Sequence, residues 1–233
     1  MTKELPFLTS NHILLALPED TLGRLRPHLE HVDLMHGDHL YRPYELISHV
    51  FFPETAMASM VASTSTGEST EIGVIGWEGM TGVDVLLGVD DSPNECFIQI
   101  PGNGWRLNTE VMRSEFARCR AAHDQMLLFT HKLLMQISQT TLCNRMHQME
   151  QRLSRWLLMC RDRSASDDLQ LTHEFLGIML GATRVSVSLS AAALQNLGYI
   201  KYNRGRITIL DRVEMEKFTC DCYGIVKGEY ARN

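Results

Sequence analysis

Lys201, Arg204 and Arg206 crowd around an Asn203-Arg204-Gly205 turn near the carboxy-terminal end of the chain. Cations gathered on one turn suit phosphate oxygens, which supply most of the salt-dependent affinity of proteins for nucleic acid. Taken singly, each of them reads equally well as a solvated surface charge. What tips the balance is the stretch before them, where Thr172 and Thr183 stand at places where a helix needs capping. Residues with metal-binding chemistry lie elsewhere: His31, His36 and His39, and the Cys220-Asp221-Cys222 segment. The histidine spacing straddles a turn, and no further Cys or His follows Cys222, so turn histidines and ordinary thiols are the favoured readings there.

The cations have to be carried by residues 171–211. Thr172 can cap a short helix in which Phe175, Leu176, Met179 and Leu180 fall on one buried face. Gly181 ends that helix by admitting a left-handed backbone. Thr183 can cap a second helix running to Asn196, with Val185, Leu189, Ala192, Ala193 and Leu197 as its apolar positions and small Ser186, Ser190, Ala191 and Ala192 allowing close approach. Gly198 closes it, and 199–202 and 206–210 read as strands joined at 203–205, where Asn and Gly tolerate positive backbone angles. Two helices, a tight turn and a hairpin are the outline of a winged helix-turn-helix reader of duplex DNA.

The whole chain of 233 residues is 44% apolar, enough for one large or two ordinary domains. Its net charge of −6 argues against a nucleic-acid partner only until it is divided. Residues 1–149 carry 10 basic against 18 acidic side chains, whereas 150–212 carry 9 against 6. The basic excess therefore coincides with the winged helix-turn-helix. No apolar run approaches a membrane span and no signal-peptide pattern opens the chain, so a cytoplasmic protein without a membrane partner is expected. Cys96, Cys119, Cys143, Cys160, Cys220 and Cys222 follow no secreted-scaffold spacing and read as reduced thiols.

Upstream, residues 1–30 read as helical, with 11–17 as one segment and Pro18 opening another whose Leu22, Leu25 and Leu29 mark a core face. The runs 31–35, 49–52, 56–63, 70–75 and 95–100 are strand-like and separated by turn residues, the pattern of a small β-barrel or jelly roll. Glycine-rich 77–88 reads as a loop and short helix. Helices are expected over 109–120, 122–147 and 150–163, followed by a polar break at 164–168. Along the long one Leu128, Met135, Leu142 and Met149 recur every seven residues beside Leu127, Leu134 and Ile137, an apolar surface wide enough for its own barrel and a second subunit. Leu153, Trp156, Leu157 and Cys160 mark the inward face of the next helix.

A β-roll, a long helix and a winged helix-turn-helix in that order, with Gly181 at the turn and Thr183-Arg184 opening the second helix, resembles the Crp/Fnr family of bacterial transcription regulators over essentially the whole chain. The resemblance implies an α+β fold: an N-terminal cyclic-nucleotide-binding-like β-roll (jelly roll) over 1–120, a long dimerisation helix over 121–149, and a C-terminal winged helix-turn-helix over 150–233. It implies a homodimer that binds double-stranded DNA and regulates transcription, with RNA polymerase as a candidate further partner. It implies too that Arg184 meets guanine edges in the major groove, the commonest specific pairing. The family's usual neighbouring Glu is Val185 here and a later Arg is Leu189, so the operator differs from the usual one. Ser186 and Ser188 are then the next candidates for base or phosphate contact, alongside Thr172, Thr183, Lys201, Arg204 and Arg206.

In the family's cyclic-nucleotide pocket a Glu holds the ribose and an Arg neutralises the phosphate. The corresponding segments here, Gly82-Val83-Asp84 and Asn94-Glu95-Cys96, have neither that Glu nor the cation. Burying a phosphate beside Glu95 without an Arg costs roughly several kcal/mol. Cyclic AMP is therefore not expected to bind there, and the effector stays unassigned. With no Cys before Cys96 the family's iron-sulfur cluster is not expected either, and no cofactor, metal set or catalytic residue is assigned. No nucleophile elbow, phosphate-binding loop or dinucleotide fingerprint occurs. Two alternatives stand beside the regulator: a cupin-like metal-binding enzyme domain fused to a winged-helix module, resting on the three histidines, and a protein-interaction module using the winged domain.

Overall fold

The computed structural model describes residues 8–164 and 166–232. The chain opens with α1 (His12–Ala16) and α2 (Glu19–Leu25), then enters β1 (Glu30–Leu34), β2 (His39–Tyr41), β3 (His49–Pro53), β4 (Met57–Ser63) and β5 (Ser69–Ile75). After a 3-10 turn at Val83–Leu87 come β6 (Glu95–Ile100), β7 (Gly102–Asn108), α3 (Thr109–Arg118), α4 (Arg120–Met146) and α5 (Met149–Arg163). The last part is β8 (Asp168–Gln170), α6 (His173–Met179), α7 (Arg184–Asn196), β9 (Ile200–Asn203), β10 (Arg206–Ile209), α8 (Arg212–Phe218) and α9 (Asp221–Ala231). These fall into two compact units, one up to Ala58 and from Ile75 to Thr130, the other from Ser59 to Val74 and from His131 onward, so that β4 and α4 are shared.

The first unit is the β-roll. One antiparallel sheet has the order β1-β7-β3, and the other runs β2-β6-β4-β5 through the shared strand. Phe52, Met57, Ile98, Leu107 and Met112 fill its interior and are fully buried. Asn11 caps α1 by accepting from the Ile13 and Leu14 amides, while its side-chain amide donates to the Pro53 and Gly79 carbonyls at 2.8 Å each. A buried polar side chain is thus fully satisfied, which is what makes its burial tolerable.

Three strands, β2, β7 and β8, add to those expected. Gly102, Asn103 and Gly104 start β7, where the chain passes too close for a side chain: a Cβ on Gly104 would lie 2.6 Å from the Phe52 carbonyl oxygen. The helical reading of 1–30 is correct only in part. Within it α1, α2 and a 3-10 turn at Arg26–His28 are helical and Glu30 already belongs to β1, while residues 1–7 lie outside the described residues.

In the second unit the end of the β4–β5 hairpin meets α4, α5 and the winged elements. Gln136 of α4 serves the edge of β5, accepting from the Val74 amide at 2.7 Å and donating to the Val74 carbonyl at 3.1 Å. Glu71 of β5 is buried and accepts from Ser59 Oγ at 2.7 Å and Trp156 Nε1 at 2.8 Å. α5 buries Leu153, Trp156, Leu157 and Cys160, as its periodicity requires. The expected break at 164–168 is shorter than expected, because Asp168 already pairs with Thr208 in β8; Ala165 lies outside the described residues. Among the described residues no single helix is long and apolar enough to cross a membrane.

Candidate nucleic-acid interface

Thr172 and Thr183 cap the two helices of the reader. Thr172 Oγ1 accepts the Phe175 amide hydrogen at 3.1 Å, and Thr183 Oγ1 accepts that of Ser186 at 3.1 Å. Between the helices Gly181 takes φ +56°, and the Ala182 amide donates to the Gly177 carbonyl at 2.8 Å. A Cβ on Gly177 would lie 2.9 Å from the Ala182 carbonyl oxygen. Two glycines, one for backbone freedom and one for close approach, set the angle between α6 and α7.

α7 buries Val187, Ser190, Ala191 and Leu194. This corrects the sequence reading of its apolar stripe: Val185 and Leu189, each 68% exposed, lie with exposed Ala192 on the opposite side, and Leu197, which caps the helix end, is exposed as well. The core face is disguised because small residues occupy it where α7 packs on α5, with Ser190 Oγ satisfied by Glu150 Oε1 at 2.9 Å. Arg184 is exposed at the leading edge of α7, with Val185 beside it and Leu189 one turn further on.

Ser186 is partly exposed, its Oγ 2.9 Å from Thr183 Oγ1. Ser188 is held internally: it donates to the Arg184 carbonyl at 2.9 Å and shares a hydrogen bond of 2.8 Å with His173 Nδ1. His173 in turn stacks on Tyr202 of β9 with ring centroids 3.9 Å apart. Burial, and then the charge of Arg184, hold this imidazole below the usual histidine range. A neutral ring thereby joins α6, α7 and the wing, a role that no local pattern around His173 signals.

The wing has three strands in the order β8-β10-β9, with Arg206 opposite both Gln170 and Asn203. Its turn has two residues, Arg204 at φ +47° and Gly205 at φ +80°. The expectation that Asn203 takes the left-handed backbone is therefore corrected: Asn203 ends β9, and Arg204 adopts that conformation at the tip of a type I′ loop. Arg206 leans on β8, with Nη1 3.9 Å from Asp168 Oδ2 and, when the Gln170 amide oxygen faces it, Nη2 and Nε donating at 2.9 and 3.0 Å. Arg184, Lys201 and Arg204 are exposed, and no carboxylate among the described residues pairs with them. Much of the remaining basic excess faces inward: Arg155 and Arg163 are buried, and Arg161 and Arg212 pair with Asp167 and Asp162.

The segments matched to the cyclic-nucleotide pocket lie in the β-roll. Gly82 (φ +75°) opens the 3-10 turn that buries Val83, Val85 and Leu86. Burial raises the carboxyl of Asp84 and pushes the thiol of Cys96, fully buried near Tyr41, well up. Glu95 lies 3.5 Å from His39 Nδ1, and the Asn94 amide donates to Ser92 Oγ at 3.3 Å. Arg113 of α3 donates to the Val85 and Val89 carbonyls at 3.2 Å each and pairs with Asp90. That guanidinium is occupied in bracing the loop.

The three histidines are not brought together. His31 meets Glu54 at 3.4 Å, His36 Nδ1 meets the Gln99 carbonyl at 2.8 Å, and His39 meets Glu95. The cysteines are: Cys220 and Cys222 converge with Cys143 and His147 at the end of α4, partners far away in the chain.

A short helix pair with a three-stranded wing, borne by a chain whose other unit is a β-roll, defines a winged helix-turn-helix protein of Crp/Fnr architecture. Residues 151–218 match the Crp-like helix-turn-helix domain. Solved structures with the same fold include FixK2 from Bradyrhizobium japonicum, with 14% identity, TM-score 0.67, and 82% of this chain and 98% of that one covered. A Crp-family transcriptional regulator from Thermus thermophilus is similar at 16% identity, TM-score 0.66, over 80% and 95% of the two chains. The c-di-GMP-responsive global regulator CLP from Xanthomonas campestris is similar at 12% identity, TM-score 0.65, over 83% and 100%. No curated protein sequence matches the chain.

Proposed function

We propose that the chain is a sequence-specific DNA-binding transcription regulator acting as a homodimer, with residues 1–120 as sensor, 121–149 as dimerisation helix and 150–233 as reader. The observation that carries this reading is the leading edge of α7: Arg184 stands exposed there while Lys201 and Arg204 stand exposed on the adjoining wing. In the proposed complex α7 enters the major groove, where Arg184 reads guanine and the wing cations hold phosphates. Val185 and Leu189 are apolar where the family has charged residues, and their exposed methyl groups suit the methyl group of thymine. Ser188, tied to His173, acts in this scheme by holding the helix pair rather than by touching DNA.

Dimerisation would use α4. Leu127, Leu134 and Leu142 are exposed on it, with Leu134 at 58%. A second copy of the same helix covers such a stripe and puts two readers about 34 Å apart, the spacing of successive major grooves. Cyclic AMP is not the effector in this reading, since Asp84 and Glu95 bring carboxylates and Arg113 is committed to the loop. Calorimetric titration with cyclic AMP is expected to give no heat of binding; micromolar affinity contradicts this.

The test of the DNA role compares two variants against a selected duplex and a random one, each over a salt series. Arg184→Ala is expected to lose most of the discrimination between the duplexes, a change of about 1–3 kcal/mol. Arg204→Ala is expected to weaken both alike and to lower the salt slope by about one. Equal losses on both duplexes from both variants contradict the assigned roles.

A further inference from the structure

Four metal-ligating side chains meet where the last helix joins the end of α4. Cys143 is in the last turn of α4 and His147 directly follows that helix, while Cys220 is the residue preceding α9 and Cys222 is on its first turn. Their three sulfur atoms and one imidazole nitrogen all lie within 4.8 Å of one another. Cys143 Sγ is 3.5 Å from Cys220 Sγ, and Cys222 Sγ is 3.7 Å from His147 Nδ1. A tetrahedral zinc ion with Zn–S of about 2.3 Å and Zn–N of about 2.0–2.1 Å sets its ligand atoms about 3.5–3.8 Å apart, so these separations already match.

The surroundings fit as well. The three thiols are buried as a cluster of their own. His147 offers Nδ1 toward the sulfurs while its Nε2 lies 3.7 Å from Asp221 Oδ1, the outer carboxylate that commonly orients a metal-bound histidine. Three thiolates and a neutral imidazole around a divalent ion leave one net negative charge. Arg155 of α5, buried in the same unit with its guanidinium donating to Thr140 Oγ1 of α4 at 2.8 Å, supplies a positive charge on this side of α4.

We propose that Cys143, His147, Cys220 and Cys222 form a Cys3His zinc site that pins α9 to the carboxy-terminal end of α4. Four protein ligands close the coordination shell, so the site is structural and not hydrolytic. Binding displaces the thiol protons to solvent and adds its free energy to folding of this unit. A disulfide between Cys143 and Cys220 would use only two of the four groups and leave Cys222 and His147 without a purpose. An iron-sulfur cluster would need its ligand atoms spread around a larger inorganic core.

The test is made on the reduced full-length chain. Elemental analysis after zinc loading is expected to give one zinc per chain, and replacement by cobalt(II) to give the intense visible bands and thiolate charge-transfer absorption of tetrahedral sulfur-rich coordination. Cys222→Ser and His147→Ala are expected to lower cobalt affinity at least a hundredfold, while Cys119→Ser, outside the cluster, leaves it unchanged. The spectrum of the unaltered chain decides the matter even if a variant fails to fold. Less than a tenth of an equivalent of zinc, octahedral cobalt, or iron-sulfur absorption each overturn the proposal.

Discussion

At the scale of single residues, Glu71 and Arg204 depart most from what their positions would ordinarily hold. Glu71 is buried against Ser59 and Trp156 with the charges of Arg155 and Arg163 nearby, yet burial outweighs them and raises its carboxyl from 4.5 to about 7. A carboxyl that binds its proton more tightly when folded gives stability that is complete below about pH 4.5 and lost as pH rises through about 7. The denaturation midpoint of the winged unit is therefore expected to fall between pH 5 and 8. In Glu71→Gln, where the amide can accept from Trp156 and donate to Ser59, the profile should flatten; equal slopes in the two proteins contradict the assignment. Arg204 carries a left-handed backbone that side chains other than Asn and Gly adopt at a cost. Arg204→Asn is expected to stabilise the chain by about 0.5–1 kcal/mol while weakening every duplex, a separation that thermal melts and binding isotherms together detect.

What could be read at this scale was local. Thr172 and Thr183 announce their caps through the residues that immediately follow them. By contrast, Asn203 and Arg204 differ only in whether β9 runs one residue further, which depends on pairing with Arg206. The Cys143 and His147 partners of Cys220 and Cys222 depend on contacts 75 and 77 residues apart in the chain, which no spacing rule reaches.

Among the elements, the helices up to α7 and most strands were legible, whereas α8 and α9 were not read from the sequence and the orientation of α7 was misread. Periodicity reports that apolar residues share a face, but it does not say which face is inside when Ser190 and Ala191 line the core. β7 was hidden for a related reason, since its first residues include two glycines that serve close packing and carry no strand-forming side chain. Gly177→Ala tests the corresponding claim for the helix pair: a methyl group 2.9 Å from the Ala182 carbonyl oxygen should destabilise the reader by about 1–3 kcal/mol and reduce DNA binding in proportion. Gly228→Ala in α9 meets nothing within 4 Å and should instead raise stability by about 0.5–1 kcal/mol. For α4, Leu134→Glu is expected to shift sedimentation from dimer toward monomer at micromolar concentration. A variant that stays as dimeric as the parent would move the subunit contact elsewhere.

For the whole molecule, the division of charge matters more than the total. A net charge of −6 conceals a helix pair and wing whose exposed cations are Arg184, Lys201, Arg204 and Arg206, while the exposed Lys217, Lys227 and Arg232 further on pair with Glu214, Glu216 and Glu229 and several other arginines are buried or paired. Such a molecule should show steep salt dependence on DNA despite being acidic. The order of the parts was legible because each leaves its own periodicity, and the match of residues 151–218 to the Crp-like helix-turn-helix domain agrees with it. The most direct measurement is selection of bound duplexes from a random pool by the full chain, repeated with Arg184→Ala. The account predicts an inverted repeat with half-sites about 10 base pairs apart, each holding a guanine whose enrichment disappears in the variant. Recovery of unselected sequence by the parent chain, or the same enriched repeat with and without Arg184, would contradict it.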